Sequence, residues 1–343
     1  MKKFINWFFL FFIAVFLIVG VVGIVELYCG YSYYRYRDTL KNECNAIRLR
    51  QPFPNLISDN YKTDSLGFIL PYTPPDSSLK TVVFLGGSTT ECLEVKERNR
   101  IHVKAEEQLK DVSCLNIGLS GNNSMHSLNL LANKVMSLAP DAVVINHNVN
   151  DLSVLLNLGT YFNEHPQRSL ILSNTEQLQT YKVGYPKNKF VRKYIPHISL
   201  VLLPTTFQGE DSPIKRPEFS DEPLPQGISI DSLKSMYRQS LLGLVGYAKS
   251  WGVTPVLMTQ GSCFGEYEIK NIYKCEGYNL DSLHKEFNKV VREVALISGV
   301  TMVDAENLME DNKDYFYDTV HYTDSGSIFI ANHIASALKN ILN

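Results

Sequence analysis

The chain is poor in cysteine, with six in 343 residues, and no two of them form a C-x-x-C pair. That excludes the usual zinc-knuckle and thioredoxin readings. It has no surplus of positive charge either. Its 33 Lys and Arg against 35 Asp and Glu leave a formal net charge of -2, so bulk charge does not point to nucleic acid. No Gly-Lys-Ser/Thr follows the glycine pair at 86–87, so the turn there is not a phosphate loop. Ser88 is followed by Thr89-Thr90, so it does not sit in the G-x-S-x-G elbow of the common α/β-hydrolases. Internal repeats and low-complexity tracts are missing too. What remains, 45% hydrophobic and 20% charged residues, is the composition of an ordinary globular protein, enough for one large domain or two small ones.

One long apolar run is present. Met1-Lys2-Lys3 precedes an almost unbroken stretch from Phe4 to Val25, interrupted only by Asn6. As a helix it would span roughly 33 Å, the thickness of a bilayer core. A cleaved signal peptide is the competing reading. The run is long for a signal core, and Glu26-Leu27-Tyr28 offers no small-residue cleavage site. Nor do Glu26 and Tyr28 make a lipidation box before Cys29. We therefore expect an uncleaved anchor. Lys2 and Lys3 favour a cytoplasmic N-terminus and a domain outside the cytoplasm, although Arg35, Arg37, Lys41, Arg48 and Arg50 follow on the other side. Tyr28, Tyr31, Tyr33 and Tyr34 fit an interfacial aromatic belt. For an exported domain, Cys263 and Cys275 could bridge one loop; free thiols, with Cys114 in a strand, are an equally good reading.

After a proline-rich stretch from Gln51 to Lys80, strands and helices alternate. Apolar, β-branched runs predict strands at Thr81 to Leu85, Ser113 to Ile117, Ala142 to Asn146, Val253 to Thr259 and Thr301 to Asp304. Helical patterns lie at Lys96 to Lys110, Ser124 to Leu138, Ser232 to Trp251, Asp281 to Ser298 and Asp324 to Leu342. The rhythm breaks over about 152–228, which reads as an insertion. This alternation predicts an α/β fold, a five-stranded parallel sheet covered on both faces, with ligands at the carboxyl ends of its strands.

Four short segments fall at or beyond those ends. They are Gly86-Gly87-Ser88-Thr89, Ser120-Gly121-Asn122, Asn148-Val149-Asn150-Asp151 and Asp318-Thr319-Val320-His321. Taken singly, each has an ordinary explanation: a helix cap for Ser88 and Asn150, a turn for Gly121, surface for Asp318 and His321. Taken together they supply a serine, an imidazole with a carboxylate to orient it, and donors for an oxyanion, which are the parts of acyl transfer through a serine ester. His126 and His147 sit in no metal-ligand cluster. Asn122-Asn123-Ser124 matches a glycosylation sequon that would block the cleft.

These segments resemble the blocks of the SGNH (GDSL-like) hydrolase superfamily, in its membrane-anchored bacterial form. Ser88 matches the nucleophile, Gly121 the second-block glycine, Asn150 the third-block asparagine, and Asp318 with His321 the last pair. Asp64-Ser65-Leu66-Gly67-Phe68 precedes the serine block, as in the anchored members. Two positions depart from the pattern: Gly87 stands where many members carry Asp, and Asn148 where many carry Gly. The resemblance implies a flavodoxin-like three-layer α/β/α sandwich and no metal or organic cofactor. The resemblance covers roughly 60–340, so that with the apolar run and the polar stretch after it the chain divides into an anchor at 1–28, a stalk at 29–59 and a hydrolase-like domain at 60–343 with an insertion at about 152–228.

The function expected is that of a membrane-anchored serine esterase. Ser88, Asp318 and His321 would be catalytic, and Ser88, Gly121 and Asn150 would form the oxyanion hole. The substrate expected is an acylated small molecule or cell-envelope glycan, not nucleic acid. An O-acyltransferase using the same residues, and an idle binding module on the same fold, are the alternatives.

Overall fold

The computed structural model describes residues 2–39, 46–76, 78–163, 165, 168–172, 229–264, 278–310 and 312–342. Cys44, Cys275 and 173–228, hence most of the expected insertion, lie outside the described residues, as do the side chains of Tyr33 and Tyr34. The chain divides into two compact units, 1–46 with 171–216, and 47–170 with 217–343.

In the first unit, helix α1 runs over Lys2–Thr39. Its segment Phe9–Cys29 is long and apolar enough to cross a membrane, with a mean hydropathy of 2.9. A membrane span and a signal sequence share those features.

The second unit is built on five parallel strands: β1 Lys80–Gly86, β2 Val112–Asn116, β3 Ala142–Asn146, β4 Thr254–Met258 and β5 Thr301–Val303. Their order is β2-β1-β3-β4-β5, that of flavodoxin-like sheets. In register, Gly86 pairs with Asn146, and Asn146 with Met258. Among the described residues the α-helices of this unit are α2 Ser88–Glu91, α3 Ile101–Gln108, α4 Ser124–Asn133, α5 Val149–Leu158, α6 Ile230–Ser250, α7 Leu280–Ser298, α8 Ala305–Met309 and α9 Asp324–Leu342.

Both faces of the sheet are covered, which is why β1 is apolar at successive positions rather than alternate ones. Val83 and Leu85 pack with Leu130 of α4, Leu241 of α6 and Phe287 of α7. Val82 and Phe84 pack on the other face with Ile101 of α3 and Ile330 of α9. Each such side chain, fully buried, contributes about 1.5–3 kcal/mol. Side-chain caps start three helices: Asn123 accepts from His126 N–H, Ser229 from Ser232 N–H and Asn279 from Ser282 N–H.

Three helical expectations change. The pattern at 96–110 divides into a 3-10 turn, Glu97–Asn99, and α3. The cause is Arg100. It is fully buried, and its guanidinium donates to the carbonyls of Asn60, Leu70 and Cys92 instead of lying along a helix. The pattern at 124–138 ends as an α-helix at Asn133 and continues as a 3-10 turn over Val135–Leu138. Residues 152–158, read as the start of the insertion, are the rest of α5, closed by Gly159 at φ 69°.

Candidate active site

The strand order reverses between β1 and β3, and the carboxyl ends of those strands are where the ligand crevice of such a sheet is expected. Ser88 stands at its edge, the first residue of α2. Two glycines place it there. A Cβ on Gly86 would lie 2.0 Å from Thr90 Oγ1 and 2.7 Å from the Asn146 carbonyl. A Cβ on Gly87 would lie 2.3 Å from Asn150 Nδ2. The backbone can therefore pass close to β3 and turn sharply only without side chains. As the first residue of a helix, Ser88 leaves its own N–H without an intrahelical partner.

His321 and Asp318 reach the crevice from the loop before α9. Thr323 N–H donates to the Tyr315 carbonyl at 2.9 Å, and an antiparallel bridge pairs Phe316 with Tyr322. Asp318 Oδ1 accepts from the N–H groups of Val320 (3.0 Å) and His321 (2.8 Å). Its Oδ2 lies 2.6 Å from His321 Nδ1, and His321 Nε2 lies 2.7 Å from Ser88 Oγ. Burial pushes the Asp318 carboxyl up, but these hydrogen bonds outweigh it and hold the group below the usual carboxylate range. Serine, imidazole and carboxylate thus form one hydrogen-bonded line. In that arrangement the carboxylate fixes the imidazole tautomer that can accept the serine proton.

Gly121 lies in the turn before α4, and Asn150 in the first turn of α5. Asn122 N–H donates to the Leu119 carbonyl at 2.9 Å, closing a turn in which Gly121 has φ 79°. A positive φ at the third position is the type II form and calls for glycine. Among the described residues nothing accepts from the N–H of Ser88 or of Gly121. Asn150, in the first turn of α5, donates from Nδ2 to the Asn122 carbonyl at 3.0 Å, and the amide keeps a second hydrogen.

Several residues that hold this arrangement, Asn148 of the third segment apart, carry no local signal in the sequence. Glu91 Oε2 accepts from the N–H of Ser120 at 2.7 Å and from its hydroxyl. Arg50 and Arg168 donate to the Gly121 carbonyl. Gln260 links two site loops, donating to Thr89 Oγ1 at 2.9 Å and accepting from Val149 N–H at 3.0 Å. Asn148 donates to the His284 carbonyl (2.9 Å) and to Asn288 Oδ1 (2.8 Å) on α7. Gln260 is reached from 171 residues away and Asn148 reaches 140, so only the fold brings these groups together.

The remaining polar groups are structural. Asp151 is buried and accepts from Ser124 N–H (3.0 Å) and Tyr161 hydroxyl (2.6 Å); burial pushes it up to about 6 against those bonds. His147 lies 3.7 Å from it, but burial pushes that imidazole down to about 3 and leaves it neutral, so the two make no ion pair. His126 caps α4. Asn122 is fully buried and donates to the Arg50 carbonyl at 2.8 Å, so the sequon there is closed to glycosylation. Among the described residues no group of three or more His, Cys, Asp or Glu could hold a metal.

No protein-family model matches the chain, and no curated protein matches it. Solved structures do. A lipase/acylhydrolase from Enterococcus faecalis is 15% identical, with 76% of this chain and 96% of that one covered and a TM-score of 0.46. A GDSL-like lipase from Bacteroides thetaiotaomicron is 16% identical over 78% and 91% of the two chains, with a TM-score of 0.46. An acetylxylan esterase from Geobacillus stearothermophilus is 14% identical over 76% and 94%, with a TM-score of 0.45.

Proposed function

We propose that this chain is a serine ester hydrolase of the SGNH type, acting on O-acyl esters. The observation that carries the reading is the line from Ser88 Oγ to His321 Nε2 and from His321 Nδ1 to Asp318, at 2.7 and 2.6 Å, at the carboxyl end of a parallel sheet. In the reaction His321 takes the proton of Ser88 as Oγ adds to the ester carbonyl. The tetrahedral oxyanion is held by the N–H groups of Ser88 and Gly121 and by Asn150 Nδ2. Collapse expels the alcohol, which takes the proton from His321, and leaves an acyl ester on Ser88. Water, deprotonated by the same imidazole, then releases the acid and restores the serine. Asp318 stays ionised throughout and stabilises the imidazolium. Each oxyanion donor is worth about a hundredfold to a thousandfold in kcat.

Helix α1 supports placing the enzyme at a membrane, and Lys2 and Lys3 ahead of its apolar run favour an N-terminus inside and a site outside the cytoplasm. An O-acylated envelope glycan is the substrate we assign on that basis. The test is turnover by the full-length protein in detergent on p-nitrophenyl acetate and longer acyl esters, with a sugar acceptor added in parallel. Free acid released without acceptor supports the hydrolase. Acyl transfer that depends on the acceptor would make the chain a transferase. A folded protein inert on every ester and unlabelled by a fluorophosphonate would overturn the reading.

A further inference from the structure

We infer that Arg50 is a positioning residue for the oxyanion hole, clamping the Ser120–Gly121 peptide in the one orientation that leaves the Gly121 N–H free for a substrate oxygen. The inference rests on the hydrolase reading of this site. Its starting point is the turn Leu119-Ser120-Gly121-Asn122, closed by Asn122 N–H on the Leu119 carbonyl at 2.9 Å. Type I and type II turns share their ends and differ by a half-turn flip of the central peptide, here Ser120–Gly121. Glycine at the third position tolerates both forms. Because the peptide is planar and trans, its C=O and N–H point opposite ways. A flip would therefore replace the Gly121 N–H by the Ser120 carbonyl, and a developing oxyanion would meet a repulsive dipole.

The turn adopts the type II form, with Gly121 at φ 79°, and Arg50 holds the carbonyl that a flip would move. Its Nη2 donates to the Ser120 carbonyl at 3.2 Å and its Nη1 to the Gly121 carbonyl at 3.2 Å. A planar guanidinium is suited to span two successive carbonyls, and it stays charged at any working pH. The contact is reciprocal, since Asn122 Nδ2 donates to the Arg50 carbonyl at 2.8 Å. Glu91 holds the preceding peptide by accepting Ser120 N–H at 2.7 Å. The Ser120–Gly121 unit is thus fixed through its oxygen by a cation and through its neighbour by an anion. A cation on that oxygen also polarises the peptide and makes the Gly121 N–H a stronger donor.

The experiment is steady-state kinetics of the full-length protein in detergent on p-nitrophenyl acetate, comparing wild type, Arg50→Ala and Arg50→Lys. Circular dichroism and a melting curve accompany each. A loosened donor costs less than a deleted one, so Arg50→Ala should lower kcat by about tenfold with KM within about twofold. Arg50→Lys, which can hold one carbonyl but not two, should recover part of that loss. Unchanged kcat in a folded Arg50→Ala, with the wild type active, overturns the inference and leaves the hydrolase reading standing. So does a rise in KM at constant kcat, which would make Arg50 a substrate-binding group. So does a loss in both variants that merely follows the folded fraction. A folded wild type without ester turnover overturns both.

Discussion

Tyr317 lies flat against His321, with ring centroids 5.5 Å apart and planes 13° from parallel. The backbone joins them as well, Tyr317 N–H donating to the His321 carbonyl at 3.0 Å. The phenol ring therefore limits rotation of the imidazole that Asp318 holds at Nδ1. Such a pair is worth about 0.5–1.5 kcal/mol. Tyr317→Ala should lower kcat by about two- to tenfold, while Tyr317→Phe, which keeps the ring, should stay near wild type. Equal losses in both variants would assign the effect to the hydroxyl instead.

Ser88→Ala should leave the fold intact and lower ester turnover by at least about a thousandfold, as for nucleophiles of other serine triads. Fluorophosphonate labelling should vanish with it. A well-folded variant retaining a tenth of wild-type activity would rule out Ser88 as the nucleophile.

Gly87 and Asn150 make a coupled pair. Asn150→Ala should cut kcat by roughly a hundredfold to a thousandfold with little change in KM. A Cβ on Gly87 would stand 2.3 Å from Asn150 Nδ2, so Gly87→Ala should displace the amide and imitate that loss. Combining the two should cost little more than either alone. Additive losses would show that Gly87 acts on something other than Asn150.

The buried carboxyl of Asp151 gives stability a pH dependence. Burial raises it to about 6 in the folded chain, against about 3.9 when unfolded. A raised carboxyl binds its proton more tightly in the folded state. Its contribution is therefore complete below the unfolded value and is lost as pH rises through the folded one. Asp151→Asn cannot titrate. Between pH 4 and 8 the stability of wild type relative to this variant should fall by about 2 kcal/mol. Denaturant titrations at several pH values read it directly, and a difference independent of pH would mean that Asp151 ionises like an exposed acid.

Helix α1 predicts that the full chain sediments with membranes and resists alkaline carbonate. Protease added outside sealed membranes should reach the residues after 50. Full protection would reverse the orientation we propose, and a soluble product beginning near residue 29 would make the helix a cleaved signal.

The strands were legible because β1, β2, β3 and most of β4 are continuously buried runs, while β5, at the sheet edge, is buried only at Val303, and their limits shifted by only a residue or so. The loops that present Ser88, Gly121, Asn150 and His321 were legible because they follow those strands or precede a strongly periodic helix. Helix α5, Val149–Leu158, was not read as a helix, since its residues from 152 on were taken with the irregular sequence that follows as one insertion. Arg50 was read as stalk. Its partners are 70 and 71 residues away, and no local period marks such a contact. The two departures from the pattern the sequence resembles acquire local reasons: Gly87 has no room for a side chain beside Asn150, and Asn148 ties the start of α5 to α7.

The bond between Ser88 and His321 joins residues 233 apart in the chain. The proposed nucleophile and oxyanion donors belong to the first half of the second unit, and the proposed base belongs to the loop before α9. On the ribosome, where earlier segments emerge and fold first, Ser88 is therefore an ordinary alcohol for most of the time the chain is being made. It gains a proton acceptor only once α9 packs against α3 and draws the 315–322 loop over the sheet. On the proposed mechanism a nascent or truncated chain carries its serine disarmed, and reactivity toward a fluorophosphonate would report that the last helix has docked.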